Sequence, residues 1–369
     1  MSSRSFTESQ LRETVSLFNV YGDFRAVAPY GSGHINDTYK VDMSLGGTPV
    51  SYILQRINSD IFTQPAKVME NIRRVTEHVR IKLAGDPDAS RKTLTLVTSR
   101  DGKPYARGPE GGWWRMYVFI GGARTVDVIE TPEQAWKAAN AFARFQNQLA
   151  DLPQPRLHET IPNFHNTLSR IDQLDAAAAA DSCGRKVRVA AELAFVDARR
   201  EQAGRLVNML KSGELPERIT HNDTKINNVM LDDATGEGCA VIDLDTVMPG
   251  LALYDFGDMV RTSTANAAED ERDLSKVYSR IETFEAVARG YLADARFLTP
   301  AEREQLVFSG RLITFTIGVR FLTDYLAGDT YFRTSRPDQN LDRCRTQFKM
   351  VESMEAQAAE MEKIVASVG

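Results

Sequence analysis

A polar loop with the sequence His221-Asn222-Asp223-Thr224-Lys225-Ile226-Asn227-Asn228 places an aspartate and an asparagine five residues apart. Asp243 follows twenty positions after Asp223, directly after the apolar residues 240–242, and Asp245 lies two residues further on. An ordinary solvated loop beside a strand would not require this joint spacing. The sequence around 219–245 is therefore the candidate chemical centre.

These residue types suit phosphoryl transfer, which needs a carboxylate near the acceptor hydroxyl and oxygen ligands for the metal that bridges the nucleotide phosphates. The kinase loop H-R-D-x-x-x-x-N has the same Asp-to-Asn spacing. Asp223 is the candidate base, and Asn228 and Asp243 are the candidate Mg²⁺ ligands. Lys225 is a candidate to offset the charge of the transferring phosphate. Asp245 is a further candidate for the metal or for a substrate hydroxyl.

Each residue of this loop also has an ordinary structural interpretation. Asn228 suits an Asx turn, Lys225 a solvated surface and Asp245 a hairpin. His221 is predicted to be structural, buried behind the base and orienting the loop.

Length and composition exclude several classes of protein. A single core stops growing at roughly 250–300 residues, so a chain of 369 residues predicts two domains. The net charge of −5 without a basic patch argues against a nucleic-acid-binding protein. The sequence has no unbroken apolar stretch of the length that a membrane-spanning helix needs. An N-terminus without an apolar signal core and three separate cysteines predict a cytoplasmic protein.

The pattern of elements changes after Gly121-Gly122. Strands dominate residues 1–120, whereas helices dominate 121–369, so we expect an α+β fold with a small antiparallel nucleotide-binding domain and a larger helical domain for catalysis and substrate binding. The apolar stripe of the last predicted helix, 339–366, is interpreted as core packing, and a dimer interface along it is the alternative. We therefore expect a monomer or a weak homodimer. The predicted helices span 7–20, 64–83, 132–150, 187–212, 276–294, 300–327 and 339–366, and the five alanines at 176–180 are expected to end a further helix.

The nucleotide side contains a glycine turn and a departure from the kinase pattern. The backbone N–H groups of Gly31-Ser32-Gly33, with the Ser32 hydroxyl, are candidates to cover phosphates, although such a turn is also an ordinary hairpin. The segment 117–121, with Tyr117 and Phe119, is the candidate hinge for adenine. Gln55 occupies the place where kinases carry the strand lysine, and its helix partner, Glu70 or Glu77, stays undecided.

The loop, the Asp243 hairpin and Tyr254-Asp255-Phe256-Gly257-Asp258 together resemble the aminoglycoside phosphotransferase and choline kinase superfamily. This resemblance implies a two-lobed protein-kinase-like fold and small-molecule kinase activity. Further stretches, at 30–36, 52–55, 220–261 and 320–326, resemble the N-acetylhexosamine 1-kinase family. That family implies phosphorylation of the C1 hydroxyl of N-acetylglucosamine or N-acetylgalactosamine with ATP and Mg²⁺.

The resemblance also implies roles for residues outside the loop. Asp255 is implied to accept hydrogen bonds from the catalytic loop, although Asp255-Phe256-Gly257 has the sequence of the protein-kinase metal motif. Gln55 fits the pattern of the N-acetylhexosamine 1-kinase family. The alternative for Asp255 is a helix cap. The implied substrate residues are His34, Arg320, Asp324 and Tyr325. An i,i+4 ion pair between Arg320 and Asp324 and a turn role for His34 are the alternatives.

Two other functions remain open from the sequence. One is a different small-molecule kinase, for homoserine, an amino alcohol or an aminoglycoside. The other is a pseudokinase that binds nucleotide or sugar without turnover, for which Gln55 is the only support. The preference between the two N-acetyl sugars is not fixed by the sequence.

Overall fold

The computed structural model describes residues 6–31 and 35–368, so Ser32, Gly33 and His34 lie outside the described residues. The chain divides into two compact units. The first comprises Met1–Arg124, Asp151–Ile161 and Met230–Met248, and the second comprises the rest. The sequence suggested one boundary after residue 120, whereas two later segments return to the first unit, one of them carrying Asp243.

The first unit is built on an antiparallel sheet in the order β1-β2-β3-β5-β4. Alternate residues of β2 point inward, where they pack with Trp114 and with Leu11 and Val15 of α1. The elements are α1 (Glu8–Val15), β1 (Asp23–Pro29), β2 (Asp37–Leu45), β3 (Thr48–Ile57), β4 (Ala106–Arg107) and β5 (Trp113–Val118).

Two helices and a small sheet complete this unit. α2 (Pro65–Lys82) begins with proline at its first position and buries the apolar stripe that the sequence predicts, so this helix is confirmed. α3 spans Ala89–Lys92, and the small sheet has the order β6-β8-β9. Its strands are β6 (Ala123–Arg124), β8 (Val229–Asp232) and β9 (Gly238–Val241).

The second unit is mainly helical around α11, which packs against α5, α8 and α12. α11 is long and apolar enough to cross a membrane by composition alone, but 83% of its most apolar window is buried in the protein, as expected of a core helix. The elements are α4 (Pro132–Leu149), α5 (Thr167–Ala180), α6 (Ala190–Asp197), α7 (Arg205–Ser212), β7 (Arg218–Thr220), β10 (Met248–Gly250), α8 (Ala252–Thr264), α9 (Ile281–Asp294), α10 (Pro300–Glu304), α11 (Leu306–Leu326), α12 (Gln339–Ala356) and α13 (Ala358–Ser367).

Several predicted helices are broken in the structure. The predicted helix 187–212 divides into α6 and α7, and Gly204 between them lets the chain approach Leu168 of α5 closely. The long helices break at Gln305 and Gln357, so that 300–327 and 339–366 each form two helices. The helix end expected at 176–180 is the end of α5, whereas the sequence offers a helix over 256–262, within α8, only as an alternative. The apolar periodicity of these segments continues across the breaks, so it does not locate them.

The tightest helix contact in the second unit joins α4 and α9. A Cβ atom at Gly290 would collide with the backbone carbonyl of Trp136, so glycine is required for this approach. Asn140 of α4 donates to the Gly290 carbonyl at 3.2 Å, which fixes the same crossing.

We therefore expect Gly290→Ala to lower the free energy of unfolding by roughly 1–3 kcal/mol through overpacking, despite the better helix propensity of alanine. Urea unfolding followed by circular dichroism measures this change. Arg289→Ala, at the exposed neighbouring position, is the control and should change stability by no more than about 0.5 kcal/mol. Equal effects of the two substitutions would contradict the packing argument.

Candidate functional site

The candidate catalytic loop of the second unit follows β7 and ends in a 3₁₀ turn at Ile226–Asn228. Asn228 Nδ2 donates to the backbone oxygen of Asp223 at 2.7 Å and to its Oδ2 at 3.1 Å. The Lys225 ammonium lies 3.0 Å from the same Oδ2. The Asp223 side chain is 28% exposed, so the carboxylate is oriented and yet open to an acceptor.

The buried carboxylate of Asp255 on α8 accepts hydrogen bonds from the backbone of this loop. Asp255 accepts the backbone N–H of His221 at 2.8 Å and of Asn222 at 2.6 Å. Gln146 Nε2 of α4 also donates to Asp255, at 2.6 Å. Burial raises the pKa of Asp255 to about 6, although these donors and His221 act in the opposite direction.

The literal Asp255-Phe256-Gly257 sequence lies inside α8 rather than on a hairpin. Phe256 packs in the core against Tyr291, with ring centroids 5.2 Å apart. A Cβ at Gly257 would come within 2.5 Å of the Ser309 carbonyl of α11. This triplet therefore serves helix packing and loop support.

A second carboxylate of α8 supports the residue after the candidate base. Asp258 accepts the N–H of Thr224 at 2.9 Å and the Arg261 guanidinium at 2.8 Å. Burial opposes the charge of Asp258, yet Arg261 holds its pKa below the usual range. The Thr224 hydroxyl donates to the Asp255 carbonyl at 2.7 Å, so α8 fixes both sides of Asp223.

Two histidines flank the same loop. His221 is fully buried beside the rings of Phe142 and Phe145, and its Nδ1 accepts the N–H of Asp223 at 3.3 Å. His165, which sequence reasoning missed, places Nε2 2.9 Å from the carbonyl of Asn222. Burial lowers the pKa of His165 to about 4, so the ring is neutral and Nε2 donates. No local spacing in the sequence joins residues 165 and 222.

Arg320, expected at the substrate, lies against aromatic rings in the second unit. Its guanidinium carbon is 4.8 Å from the Phe164 ring centroid and 5.4 Å from that of Phe332. Burial lowers the pKa of Arg320 and the nearby Arg261 acts the same way, whereas the Asp223 carboxylate raises it. Arg320 and the candidate base therefore interact electrostatically.

A further arginine adds positive charge beside Arg320. Arg170 donates to the Phe164 carbonyl and to Gln173, both neutral groups. Burial, and then the charge of Arg320, lower the pKa of Arg170 to about 10. Arg170 and Arg320 thus form a pair of neighbouring cations with uncharged hydrogen-bond partners, whereas Arg261, which also interacts with Asp223, pairs with Asp258 and Glu269.

Asp324 and Tyr325 have structural partners instead of an ion pair with Arg320. Asp324 accepts the backbone N–H groups of residues 330–332 at 2.8–2.9 Å and the Asn340 amide at 2.9 Å. Tyr325 is fully buried, and its hydroxyl donates to Asp338 at 3.1 Å. These contacts order the chain after α11, and direct contact of either residue with substrate stays a prediction.

Asp243 and Asp245 belong to the first unit, in the turn after β9. Asp243 has a left-handed backbone, with φ 59° and ψ 57°, a conformation that occurs often at functional sites when the residue is not glycine. Asp245 is buried, and both its oxygens accept hydrogen bonds from the Arg115 guanidinium, with 3.0 Å between Nη2 and Oδ2. Asn36 Nδ2 also donates to Oδ2, at 2.6 Å. In the structure Asp245 accepts from a guanidinium and an amide, whereas the sequence suggested contact with the metal or with a substrate hydroxyl.

The predicted nucleotide residues lie on the sheet of the same unit. Gln55 donates to Thr38 Oγ1 and accepts from Arg115 Nε, both at 2.9 Å. Tyr117 is buried, and the Phe119 N–H donates to the Ser51 carbonyl at 3.0 Å. Gly31 is exposed with φ +80°. Their contacts with nucleotide stay predictions.

The donor atoms of the predicted metal ligands fit Mg²⁺. Among the described residues, no three His, Cys, Asp or Glu side chains group as a metal cluster. Magnesium needs only one or two protein carboxylates beside phosphate oxygens and water. The nitrogen of the Asn228 amide is engaged by Asp223, which leaves the amide oxygen as the ligand atom.

The chain matches the model of the phosphotransferase enzyme family, APH, over residues 26–296. This range contains Asp223, Asn228 and Asp243. The match confirms the superfamily that the motifs predict, while the N-acetylhexosamine acceptor stays a prediction.

Several solved structures share the fold. An aminoglycoside phosphotransferase from Alicyclobacillus acidocaldarius has a TM-score of 0.60 at 14% identity, covering 99% of this chain and 98% of that one. A spectinomycin phosphotransferase in complex with ADP and spectinomycin has a TM-score of 0.57 at 14% identity, covering 95% and 99%. Plasmodium vivax ethanolamine kinase has a TM-score of 0.55 at 15% identity, covering 87% and 82%. The predicted α+β kinase-like fold is confirmed.

The raised pKa of Asp255 predicts a specific pH dependence of stability. A carboxyl group that binds its proton more tightly in the folded state stabilises the fold at low pH, and this contribution is lost as the pH rises to about 6. The stability of the wild type relative to Asp255→Asn should therefore fall by up to roughly 3 kcal/mol between pH 4 and 6 and stay constant above. Urea unfolding of both proteins across this range tests it. A difference that rises with pH would show that the hydrogen bonds outweigh burial.

Proposed function

This chain belongs to the phosphotransferase enzyme family, and we propose that it uses ATP to phosphorylate the anomeric C1 hydroxyl of N-acetylglucosamine or N-acetylgalactosamine. It is a small-molecule phosphotransferase with a kinase-like fold. The observation that carries the proposal is the exposed Asp223 carboxylate, which Asn228 and Lys225 orient. The ADP held by the similar spectinomycin phosphotransferase supports ATP as the donor.

In the proposed reaction, Asp223 accepts the proton of the C1 hydroxyl. The C1 oxygen forms a bond to the γ-phosphorus, the bond between that phosphorus and the β–γ bridging oxygen breaks, and ADP leaves. An anomeric hydroxyl is more acidic than an ordinary alcohol, which makes the proton transfer comparatively easy. Lys225, held 3.0 Å from the base, is placed to offset charge on the transferring group.

Asn228 and Asp243 are the proposed Mg²⁺ ligands. When bound, the ion neutralises charge on the phosphates. The chain itself orients the two oxygen donors. The Asn228 amide is held by its hydrogen bonds to Asp223, and Asp243 is set by the left-handed turn after β9.

The charge around Asp223 supports a neutral acceptor over a cationic one. Arg320 carries positive charge near the base, and it donates a hydrogen bond to the neutral Tyr331 hydroxyl. An aminoglycoside or an amino alcohol would bring ammonium groups toward this arginine, and like charges repel. A sugar with an acetamide offers carbonyl and hydroxyl oxygens to the same donors, and the Phe164 ring supplies an apolar wall.

Homoserine is the other acceptor that this charge distribution accommodates, since its carboxylate suits arginine. A pseudokinase would have to retain the oriented Asp223 and Asn228 without using them. We therefore keep the sugar kinase as the proposal.

Asp223→Asn should lower kcat by roughly two to four decades, the usual range for loss of a general base. ADP release in a coupled assay measures kcat, and calorimetry measures the affinity for ADP, which should stay within about twofold. Asp233→Asn is the matched control, because Asp233 lies in an exposed hairpin and pairs with Arg124 at the surface. Near-normal turnover of a folded Asp223→Asn protein would refute the assignment of the base.

The acceptor is tested by phosphorus NMR of the protein with Mg-ATP and N-acetylglucosamine. A phosphate on C1 is recognised by its coupling to the anomeric proton and by its acid lability. We expect kcat/KM for N-acetylglucosamine to exceed that for glucosamine by roughly 10-fold or more, because only glucosamine carries an ammonium group.

Other outcomes separate the alternatives. ADP formed only with another hydroxyl compound would retain the phosphotransferase and reject the sugar. An absence of ADP with every compound of a hydroxyl panel would favour the pseudokinase.

A further inference from the structure

Gln55 lacks the charge that kinases place on this strand to hold the α- and β-phosphates. The structure brings a cation to the same point from the next strand. Gln55 of β3 and Arg115 of β5 are direct partners in the antiparallel register. Side chains of such partners point to the same face with Cβ atoms roughly 5 Å apart, and Arg115 Nε donates to Gln55 Oε1 at 2.9 Å.

The carboxylate that pairs with this cation also differs from the one in kinases. In kinases a glutamate of the following helix pairs with the strand lysine. Here Glu70 of α2 lies 2.9 Å from His158 Nε2, and Glu77 pairs with Arg73 on the surface. Asp245 instead takes the guanidinium of Arg115 through both oxygens.

The inward face of α2 supports Asp245 by another route. Asn71 of α2 is fully buried and donates to the carbonyl of Val247 at 3.0 Å, two residues after Asp245. The Thr160 hydroxyl donates to the carbonyl of Asp245 itself at 2.9 Å. The helix therefore fixes the backbone that carries the carboxylate, and does not supply the carboxylate.

The hydrogen bonds of Arg115 leave donors for a ligand. Arginine has five N–H groups. Among the described residues, Asp245 takes one from each terminal nitrogen and Gln55 takes the one on Nε. Two N–H groups, one on each terminal nitrogen, remain for oxygen atoms outside this network.

Burial makes a purely structural explanation of the pair weak. The side chains of Arg115 and Asp245 are 1% and 3% exposed. A buried ion pair contributes little net stability, and apolar residues of similar volume often replace it without loss. A fixed guanidinium with spare donors, by contrast, is well suited to phosphate oxygens.

We propose that Arg115, paired with Asp245 and oriented by Gln55, binds the phosphates of the nucleotide in place of the strand lysine and helix glutamate of kinases. Asp245 is then the anchor of this cation, and Asp243 remains as the carboxylate for the metal. The inference rests on the proposed use of ATP.

The test compares ADP with adenosine, since only ADP carries phosphates. Arg115→Met removes the charge and keeps much of the side-chain length. It should weaken binding of ADP by roughly 10- to 100-fold, the range for one charge-assisted contact, and change binding of adenosine by no more than about twofold. Calorimetry measures both affinities, and thermal unfolding without nucleotide reports stability.

A second variant returns the cation to the kinase position. The double variant Arg115→Met with Gln55→Lys should bind ADP more tightly than Arg115→Met alone. We expect it to recover at least about a third of the change in log Kd that Arg115→Met causes. Arg107→Met is the matched control, because Arg107 is exposed on the adjacent strand β4 and stacks on Trp113 at 4.5 Å. This control should bind both ligands as the wild type does.

Each outcome decides the proposal. Unchanged ADP affinity in a folded Arg115→Met protein would overturn it, as would an equal loss for ADP and adenosine, which indicates a structural role. If Arg115→Met does not fold, Arg115→Met with Asp245→Leu removes both charges and should show the same selective loss of ADP. A wild-type protein that binds adenosine but not ADP would refute the proposed use of ATP itself.

Discussion

The contact on which the catalytic loop depends is the buried carboxylate of Asp255 beneath the N–H groups of His221 and Asn222. Asn222 has a left-handed backbone, with φ 66°, which costs free energy unless the surroundings over-determine it. Asp255 from one side and the His165 ring from the other bind the peptide groups of this residue. As a result, the chain reverses just before Asp223 and leaves that carboxylate exposed.

The protein holds its functional side chains with buried charges. Asp258 with Arg261 supports Thr224 in the second unit, and Arg115 with Asp245 lies at the sheet of the first. Such pairs lose hydration, so their net contribution to stability is small. What they supply is fixed geometry, since Asp245 accepts from Arg115 through both oxygens and Asp258 accepts from Arg261 and from the Thr224 N–H on separate oxygens. Asp245 is two residues from Asp243, and the N–H group that Asp258 accepts belongs to Thr224, the residue after Asp223.

The predictable part of the structure is the part that local sequence determines. The spacing of Asp223 and Asn228 lies within one loop, and the apolar stripe of α2 lies within one helix. The family and the α+β fold follow from such local signals. Arg115 and Asp245 are 130 positions apart, and His165 lies 57 positions from Asn222, so no local pattern joins them. The breaks at Gln305 and Gln357 likewise leave no sign in the apolar periodicity of the two helical segments.

Gln55 shows how interpretation of a single residue can mislead. Taken alone, it suggests a lost lysine and weakened chemistry. With Arg115 directly across the sheet, a lysine at this position would place two cations side by side, whereas glutamine accepts from one and donates to Thr38. Lysine also lacks the planar fork that binds both oxygens of Asp245. Under the proposal, the phosphate-binding cation is therefore an arginine on β5 instead of a lysine on β3. The neutral Gln55 goes together with this exchange, because it accepts a hydrogen bond from that arginine.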